Sequence, residues 1–84
     1  MIKYIDFNET KEKIEVGFRI KDLRQLKNIS VEGLANQAKV THSYIELIEN
    51  GVKFPTAKLF IRLSDIFNVS LDYLMRGREW ICKK

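Results

Sequence analysis

The sequence predicts an all-α fold in which five helices share one hydrophobic core. Apolar residues recur at three- and four-residue spacing through most of the 84-residue chain, which is the period of an amphipathic helix. Residues that mark helix ends stand between these stretches: Ser30, Thr41 and Ser70 precede helices, and Gly51 and Gly77 follow them. A chain of this length forms one small domain, near the lower size at which a hydrophobic core is sufficient.

The N-terminal stretch is the least regular part of the pattern. Residues 1–7 alternate in part between apolar and polar, which predicts a short strand or an extended arm. We expect Asn8 to cap a first helix that ends near Asn28, although Gly17 weakens its middle and allows a start near Glu15. The domain core is therefore predicted at about 14–77, with 1–13 as an N-terminal arm or helix extension and 78–84 as a C-terminal tail.

The first helix is predicted to have an apolar face and a basic face. The basic residues form either a solvated surface or a set of phosphate contacts, and they are Arg19, Lys21, Arg24 and Lys27. The apolar residues are expected to face the core, and they are Ile14, Val16, Phe18, Ile20, Leu23 and Leu26.

The stretch 30–51 predicts two short helices joined by a tight turn. Ser30 and Thr41 are the expected N-caps, and a small residue, Ala35, lies where two helices at a steep angle must come close. This combination is typical of a helix-turn-helix. Its apolar positions are Leu34, Ala35, Ala38, Tyr44, Ile45 and Ile48.

Two more helices follow. Pro55 is well placed to begin a helix over Thr56–Asn68, with Leu59, Leu63, Ile66 and Phe67 on its core side. Ser70 is expected to cap a last helix over Leu71–Met75, and Gly77 to end it.

Composition narrows the classes of function. The net charge of +4 and a pI near 9.3 are compatible with a polyanionic partner. One histidine, one cysteine (Cys82) and scattered carboxylates provide neither a nucleophile–base pair nor a metal-ligand cluster. We therefore expect no enzyme activity, metal, cofactor or small-molecule ligand. The lone cysteine and the absence of a long apolar run predict a cytoplasmic protein without a membrane span.

Taken in chain order, these blocks resemble the helix-turn-helix domain of phage repressors and of xenobiotic-response-element (XRE)-type regulators. The resemblance covers about 16–77. It implies a five-helix, lambda-repressor-like DNA-binding domain that binds operator DNA as a homodimer. The matching residues are Ile20-x-x-Leu23-Arg24, Ser30, Leu34-Ala35, Val40, Tyr44-Ile45-x-x-Ile48-Glu49-Asn50-Gly51, Pro55, Leu59-x-x-Leu63 and Phe67-x-Val69-Ser70-Leu71-Asp72-x-Leu74.

The resemblance also implies which residues contact DNA. The second helix of the motif would lie in the major groove. Its base-reading positions correspond to His42, Ser43, Glu46 and Leu47. The phosphate-binding positions correspond to Arg24, Ser30, Val31, Thr41, Tyr44, Asn50 and Lys53.

Two further sets of contacts are expected. Arg24 should pair with Glu49, either only to brace two helices or also to hold the arginine towards a phosphate. The predicted dimer contacts are Leu71, Leu74, Trp80 and Ile81, with the N-terminal arm as a further candidate.

The reading surface departs from the family pattern. Val31 stands where relatives commonly have a glutamine, and Leu47 where a lysine or polar residue is usual. Residues 40–52 contain Glu46 and Glu49 but no lysine or arginine. Attraction to phosphates must therefore come from the flanking residues, which are Arg19, Arg24, Lys27, Lys39, Lys53 and Lys58.

These observations predict a DNA-binding transcriptional regulator. We expect a dimeric repressor or autoregulator at a near-palindromic operator, located in the cytoplasm and on the nucleoid when bound. One alternative on the same fold is an antitoxin or a restriction-modification controller protein, with a partner protein possible. Another alternative is a protein-interaction module that has lost DNA binding.

Overall fold

The computed structural model describes residues 3–77, with side chains from residue 10 onward. Five helices make up this part of the chain, and the all-α prediction is confirmed there. They are α1 (Lys3–Leu26), α2 (Val31–Ala38), α3 (His42–Glu49), α4 (Ala57–Phe67) and α5 (Leu71–Arg76).

Helix α1 begins earlier than the sequence pattern indicated. The prediction of a strand or extended arm is wrong for residues 3–7, which are helical, and Asn8 lies inside the helix instead of capping it. The stretch 3–16 contains neither glycine nor proline, so nothing in it interrupts a helix. The alternative of a helix extension over 3–13 agrees with this structure.

Gly17 does not break α1 because the position requires a residue without Cβ. A Cβ there would collide with the carbonyl oxygen of Ile48 and lie 3.0 Å from that of Glu49. The backbone of α1 therefore passes directly against the last turn of α3, and glycine is what permits this approach.

The core collects one face from each helix. Leu34, Ile45, Ile48, Leu63 and Leu74 are fully buried. The other buried apolar residues are Val16, Ile20, Leu23, Ala35, Ala38, Leu59, Phe60, Phe67 and Val69.

Three apolar residues of α1 lie outside this core. The prediction that Ile14, Phe18 and Leu26 face inward is wrong, because their exposed fractions are 56%, 67% and 67%. Helix α1 packs on α3 and α5 with a single face, and the residues that occupy this face are Val16, Ile20 and Leu23.

Three of the four predicted N-caps are confirmed, Asn8 being the exception. The hydroxyl oxygens of Ser30, Thr41 and Ser70 accept hydrogen bonds of 2.9, 3.1 and 3.0 Å from backbone N–H groups three residues ahead. Helix α4 begins at Ala57, because Thr56 is its cap and accepts from the Leu59 N–H at 3.2 Å. Pro55 therefore precedes the cap and does not begin the helix.

The helix packing leaves one side of α3 open. Helix α2 contacts α3 and α4, and α1 contacts α3 and α5. The main packing partners of α3 are therefore α1 and α2.

Within residues 3–77, no helix combines the length and the apolar character that a membrane span requires.

Candidate nucleic-acid interface

The turn between α2 and α3 is held by backbone hydrogen bonds and by one side chain of α4. Lys39 adopts a left-handed conformation (φ 62°) and ends α2. Its backbone N–H and that of Val40 both donate to the Ala35 carbonyl, the latter at 3.0 Å. The Arg62 guanidinium on α4 donates to the Ala38 carbonyl at 2.9 Å. A side chain of a third helix therefore helps to hold this turn.

The contact of Arg62 with the Ala38 carbonyl was not predicted from the sequence. The two residues lie 24 positions apart, so no local pattern identifies the contact. The one hint in the sequence is that Arg62 directly precedes the core residue Leu63, so its side chain begins at the edge of the buried face of α4.

Helix α3 has one side packed in the core and the opposite side exposed to solvent. Ile45 and Ile48 are fully buried. The four predicted base-reading residues are all exposed, and they are His42, Ser43, Glu46 and Leu47. The structure thus brings them together along the open side of the two-turn helix.

Two of these reading residues contact each other. His42 Nε2 lies 3.3 Å from Glu46 Oε2, one helical turn further on, and the side chains are 54% and 58% exposed. Sequence analysis treated the two residues as independent readers.

The predicted Arg24–Glu49 pair is present. Arg24 Nε donates to Glu49 Oε2 at 2.7 Å, and Nη2 donates to Oε1 at 3.1 Å. Nη1 donates to the Ile29 carbonyl at 2.8 Å. The two side chains are only 11% and 6% exposed, so the pair braces α1 against α3 and the loop before α2.

Two predicted phosphate ligands are engaged elsewhere. The Tyr44 hydroxyl donates to the Phe54 carbonyl at 3.3 Å and accepts from the Thr56 N–H at 3.1 Å, so its one proton is already used. The Arg19 guanidinium donates to the carbonyls of Leu74 and Met75, both at 3.1 Å, at the end of α5. Tyr44 therefore braces the α3–α4 loop and Arg19 braces α5. A phosphate contact from either group stays a prediction.

The remaining phosphate candidates lie at the surface beside α3. Ser30, Thr41, Asn50 and Lys53 are exposed, whereas Val31 is half-buried against the core. The first two N–H groups of α2 and of α3 have no acceptor within their helices, whereas the third donates to the cap hydroxyl. The first two are therefore available to an anion. Lys27, Lys39 and Lys58 are exposed as well.

The dimer candidates divide into three groups. Leu74 is fully buried in its own protomer, so its prediction as a dimer contact is wrong. Leu71 is exposed, and Trp80 and Ile81 lie outside the described residues. Phe18 was not predicted as a contact, yet it is strongly exposed and lines a groove whose other residues are Ile14, Glu15, Arg19, Arg76 and Gly77.

The chain is similar to known regulators along most of its length. A family model described as a helix-turn-helix domain matches residues 17–79. The uncharacterised HTH-type transcriptional regulator YqaE of Bacillus subtilis is 33% identical over 60 residues, which are 71% of this chain and 52% of YqaE. The chain thus spans about half the length of that relative.

Solved structures agree with the family match. The N-terminal DNA-binding domain of Bacillus subtilis SinR superposes with a TM-score of 0.70 at 31% identity, over 76% of this chain and 94% of that one. SinR is also matched in its complexes with DNA and with the SinI protein. The P22 c2 repressor bound to a synthetic operator gives a TM-score of 0.71 at 27% identity, over 74% and 94% of the two chains.

The lambda-repressor-like arrangement of helices, the open side of α3 and the family match over 17–79 lead to the same result. This chain belongs to the phage-repressor-type (XRE-type) helix-turn-helix family of transcriptional regulators, whose members are DNA-binding proteins and not enzymes.

Proposed function

We propose that this protein binds operator DNA as a homodimer and acts as a repressor or autoregulator. The observation that carries the proposal is the division of α3 into a buried side and a reading side. Ile45 and Ile48 fix the helix in the core, so the exposed residues are presented in a defined orientation. The relatives support this function, since SinR and the P22 c2 repressor have been solved with DNA.

The reading side has groups suited to base edges in the major groove. The N-terminal end of a recognition helix contacts bases first, and here it carries His42 and Ser43. A serine hydroxyl both donates and accepts, so Ser43 alone selects weakly. Leu47, one turn along, can contact the methyl group of thymine.

Lysines around the motif provide the attraction to phosphates. Arg19 and Arg24 already donate hydrogen bonds within the fold. We therefore assign most of the phosphate attraction to the exposed lysines, which are Lys27, Lys39, Lys53 and Lys58. If each protomer neutralises about four phosphates, the affinity of a dimer falls with salt at a log–log slope of about −7. This slope would be ordinary for operator binding.

A dimer follows from the small size of the reading surface. One such module buries only about 600–1,000 Å² on DNA. Two modules with half-sites about 10 bp apart would read a near-palindrome. Leu71 and the groove beside Phe18 are two of the described surfaces that would fit a contact between protomers, because each exposes apolar area.

An antitoxin or controller protein on the same fold is the alternative that a matched structure favours, because that structure contains a partner protein. It would bind its own promoter and also a partner protein. SinR, which resembles this chain over most of its length, has been solved with SinI. The remaining alternative is an interaction module without DNA binding. The features that favour it are Val31, Leu47 and the acidic residues of the motif, Glu46 and Glu49.

A gel-shift experiment on the fragment upstream of the protein's own gene tests the proposal. At low salt, ~50 mM, where phosphate contacts are strongest, the wild type should retard this fragment and not an unrelated one of equal length. Absence of retardation by micromolar protein overturns DNA binding. Retardation of both fragments alike overturns sequence-specific operator recognition.

A further inference from the structure

The C-terminal end of α2 is the point from which the chain turns into the reading helix. Ala38 is the last residue of α2 and is fully buried. The last four carbonyls of a helix have no N–H ahead of them within that helix. A buried carbonyl without a donor costs free energy comparable to a lost hydrogen bond, so the Ala38 carbonyl requires a donor from another element.

Arg62 of α4 provides this donor. Its Nη1 donates to the Ala38 carbonyl at 2.9 Å, and its side chain is half-buried. Helix α2, which the structure describes in full, has no basic residue in its last turn, although a cation is favourable at the C-terminal end of a helix. Hydrogen bonds from charged donors are also stronger than those from neutral ones. Arg62 therefore supplies both the donor and the charge that α2 lacks.

This hydrogen bond lies next to the end of α3 that matters most for base reading. Thr41 follows Ala38 by three positions and caps α3. Recognition helices contact bases mainly through their N-terminal residues. The ion pair of Arg24 with Glu49 acts at the opposite, C-terminal end of α3. The two arginines thus hold the reading helix near its two ends.

We propose that Arg62 is a positioning residue for operator recognition. This inference rests on the proposed function. Through the Ala38 carbonyl, Arg62 holds the turn so that the N-terminal end of α3 is presented in the orientation that binds DNA, and Arg62 itself does not contact DNA. Without this bond the turn populates other arrangements, and the apparent affinity falls with the fraction of competent molecules. A competent fraction of about one in ten lowers the affinity about tenfold.

Two variants of Arg62 and one control separate positioning from stability. Arg62→Met removes the donor and the charge but keeps an aliphatic side chain. Arg62→Lys keeps the charge and can donate from its ammonium group, so it should restore part of the function. Ser64→Ala is the control on the same helix. Ser64 Oγ donates to the Val69 carbonyl at 2.7 Å in a buried position, beyond the end of α4 that leads to α5.

Amide hydrogen exchange of the full chain without DNA tests whether Arg62 holds the turn. The Val40 N–H donates to the Ala35 carbonyl at 3.0 Å within the turn, and the Leu74 N–H donates to the Ser70 carbonyl at 3.2 Å in α5. Arg62→Met should lower the protection of Val40 relative to that of Leu74 about tenfold, because the turn opens locally. Ser64→Ala should not lower this ratio. An unchanged ratio in Arg62→Met overturns the inference.

DNA binding tests whether the turn matters for recognition. The probes are the fragment upstream of the protein's own gene and an unrelated fragment of equal length, at a temperature where circular dichroism shows every variant folded. Arg62→Met should bind the upstream fragment about tenfold more weakly. Its affinity for the unrelated fragment should change by less than about twofold, since phosphate contacts dominate non-specific binding. Arg62→Lys should recover part of the loss, and Ser64→Ala should bind as the wild type does.

The salt dependence and the wild type separate the remaining outcomes. An unchanged log–log slope in Arg62→Met supports positioning, whereas a slope reduced by about one unit per protomer means that Arg62 contacts a phosphate itself and overturns the inference. Wild-type affinity of folded Arg62→Met for the upstream fragment reduces the role of Arg62 to stability and leaves the regulator intact. Failure of the wild type to prefer the upstream fragment overturns the proposed function, and the role in operator recognition with it.

Discussion

Arg24 of α1 and Glu49 of α3 are joined by two parallel hydrogen bonds of 2.7 and 3.1 Å between side chains that are nearly buried. The arginine also donates to the Ile29 carbonyl in the loop before α2. One guanidinium therefore ties together the first helix, the end of the recognition helix and the loop that leads into the motif.

Removing one partner of this pair should cost more than removing both. Arg24→Met leaves Glu49 as an uncompensated, nearly buried charge, which we expect to lower the free energy of unfolding by about 3–5 kcal/mol. The double variant Arg24→Met/Glu49→Leu should lose less, because no charge remains unpaired. Urea denaturation of wild type, both single variants and the double variant measures this, and additive losses would contradict it.

Gly17→Ala should destabilise the protein although alanine is the better helix former. The gain in helix propensity is about 1 kcal/mol, but the new Cβ would meet the backbone oxygens of Ile48 and Glu49. We expect a net loss of about 2–4 kcal/mol in the free energy of unfolding.

Gly33→Ala is the control for this prediction. A Cβ at Gly33 meets only side-chain atoms of Ser30 and Ile29, at 3.1 and 3.3 Å, so it should cost less. Thermal unfolding of the two variants compares them directly, and an equal or greater loss at Gly33 would refute the close approach of α1 and α3.

Tyr44→Phe should affect stability and not phosphate binding. The hydroxyl connects the Phe54 carbonyl and the Thr56 N–H, and losing it should cost about 1 kcal/mol. The operator affinity at one fixed salt concentration, measured by fluorescence anisotropy, should equal that of the wild type. A clear loss of affinity in the folded variant would mean that this hydroxyl contacts DNA, because losing a neutral hydrogen bond lowers the affinity without changing the salt slope.

The double variant His42→Ala/Ser43→Ala should lose operator preference without losing the fold. Both side chains are exposed, so the free energy of unfolding should change by no more than about 0.5 kcal/mol per site. Competition between the operator and a scrambled site of the same composition measures the preference. A variant that discriminates as well as the wild type would exclude these residues from base reading.

Phe18→Ser should weaken self-association, whereas Leu26→Ser should not. The two side chains are equally exposed, at 67% each, but only Phe18 lines the groove between α1 and the end of α5. Sedimentation equilibrium over a range of concentrations compares the dissociation constants. Equal effects of the two changes would place the dimer contact elsewhere.

The sequence predicted those features that depend on neighbouring residues. Ser30, Thr41 and Ser70 are caps because each hydroxyl binds a backbone N–H three positions ahead, and this pattern is visible in the letters. The apolar spacing of α3 likewise separates Ile45 and Ile48 from the reading residues. Arg24–Glu49 was reached by family resemblance and not by local pattern, since 25 positions separate its members.

The contacts that sequence analysis missed are distant ones. Arg19 caps the end of α5 from 55 positions away, and Arg62 caps the end of α2 from 24 positions away. In the sequence both appear as solvated cations on an amphipathic helix. The start of α1 was missed for another reason: no cap or breaker separates residues 3–13 from the rest of the helix.

The eight residues of α3 divide evenly between two tasks that do not share a side chain. Tyr44, Ile45, Ile48 and Glu49 are buried or half-buried, and they hold the helix in place. The other four residues face outward. If the proposed function holds, duplicated copies of such a gene would acquire new target sites by substitutions at these four exposed positions. The penalty in folding would be small, so the scaffold would stay unchanged while the regulators diversify.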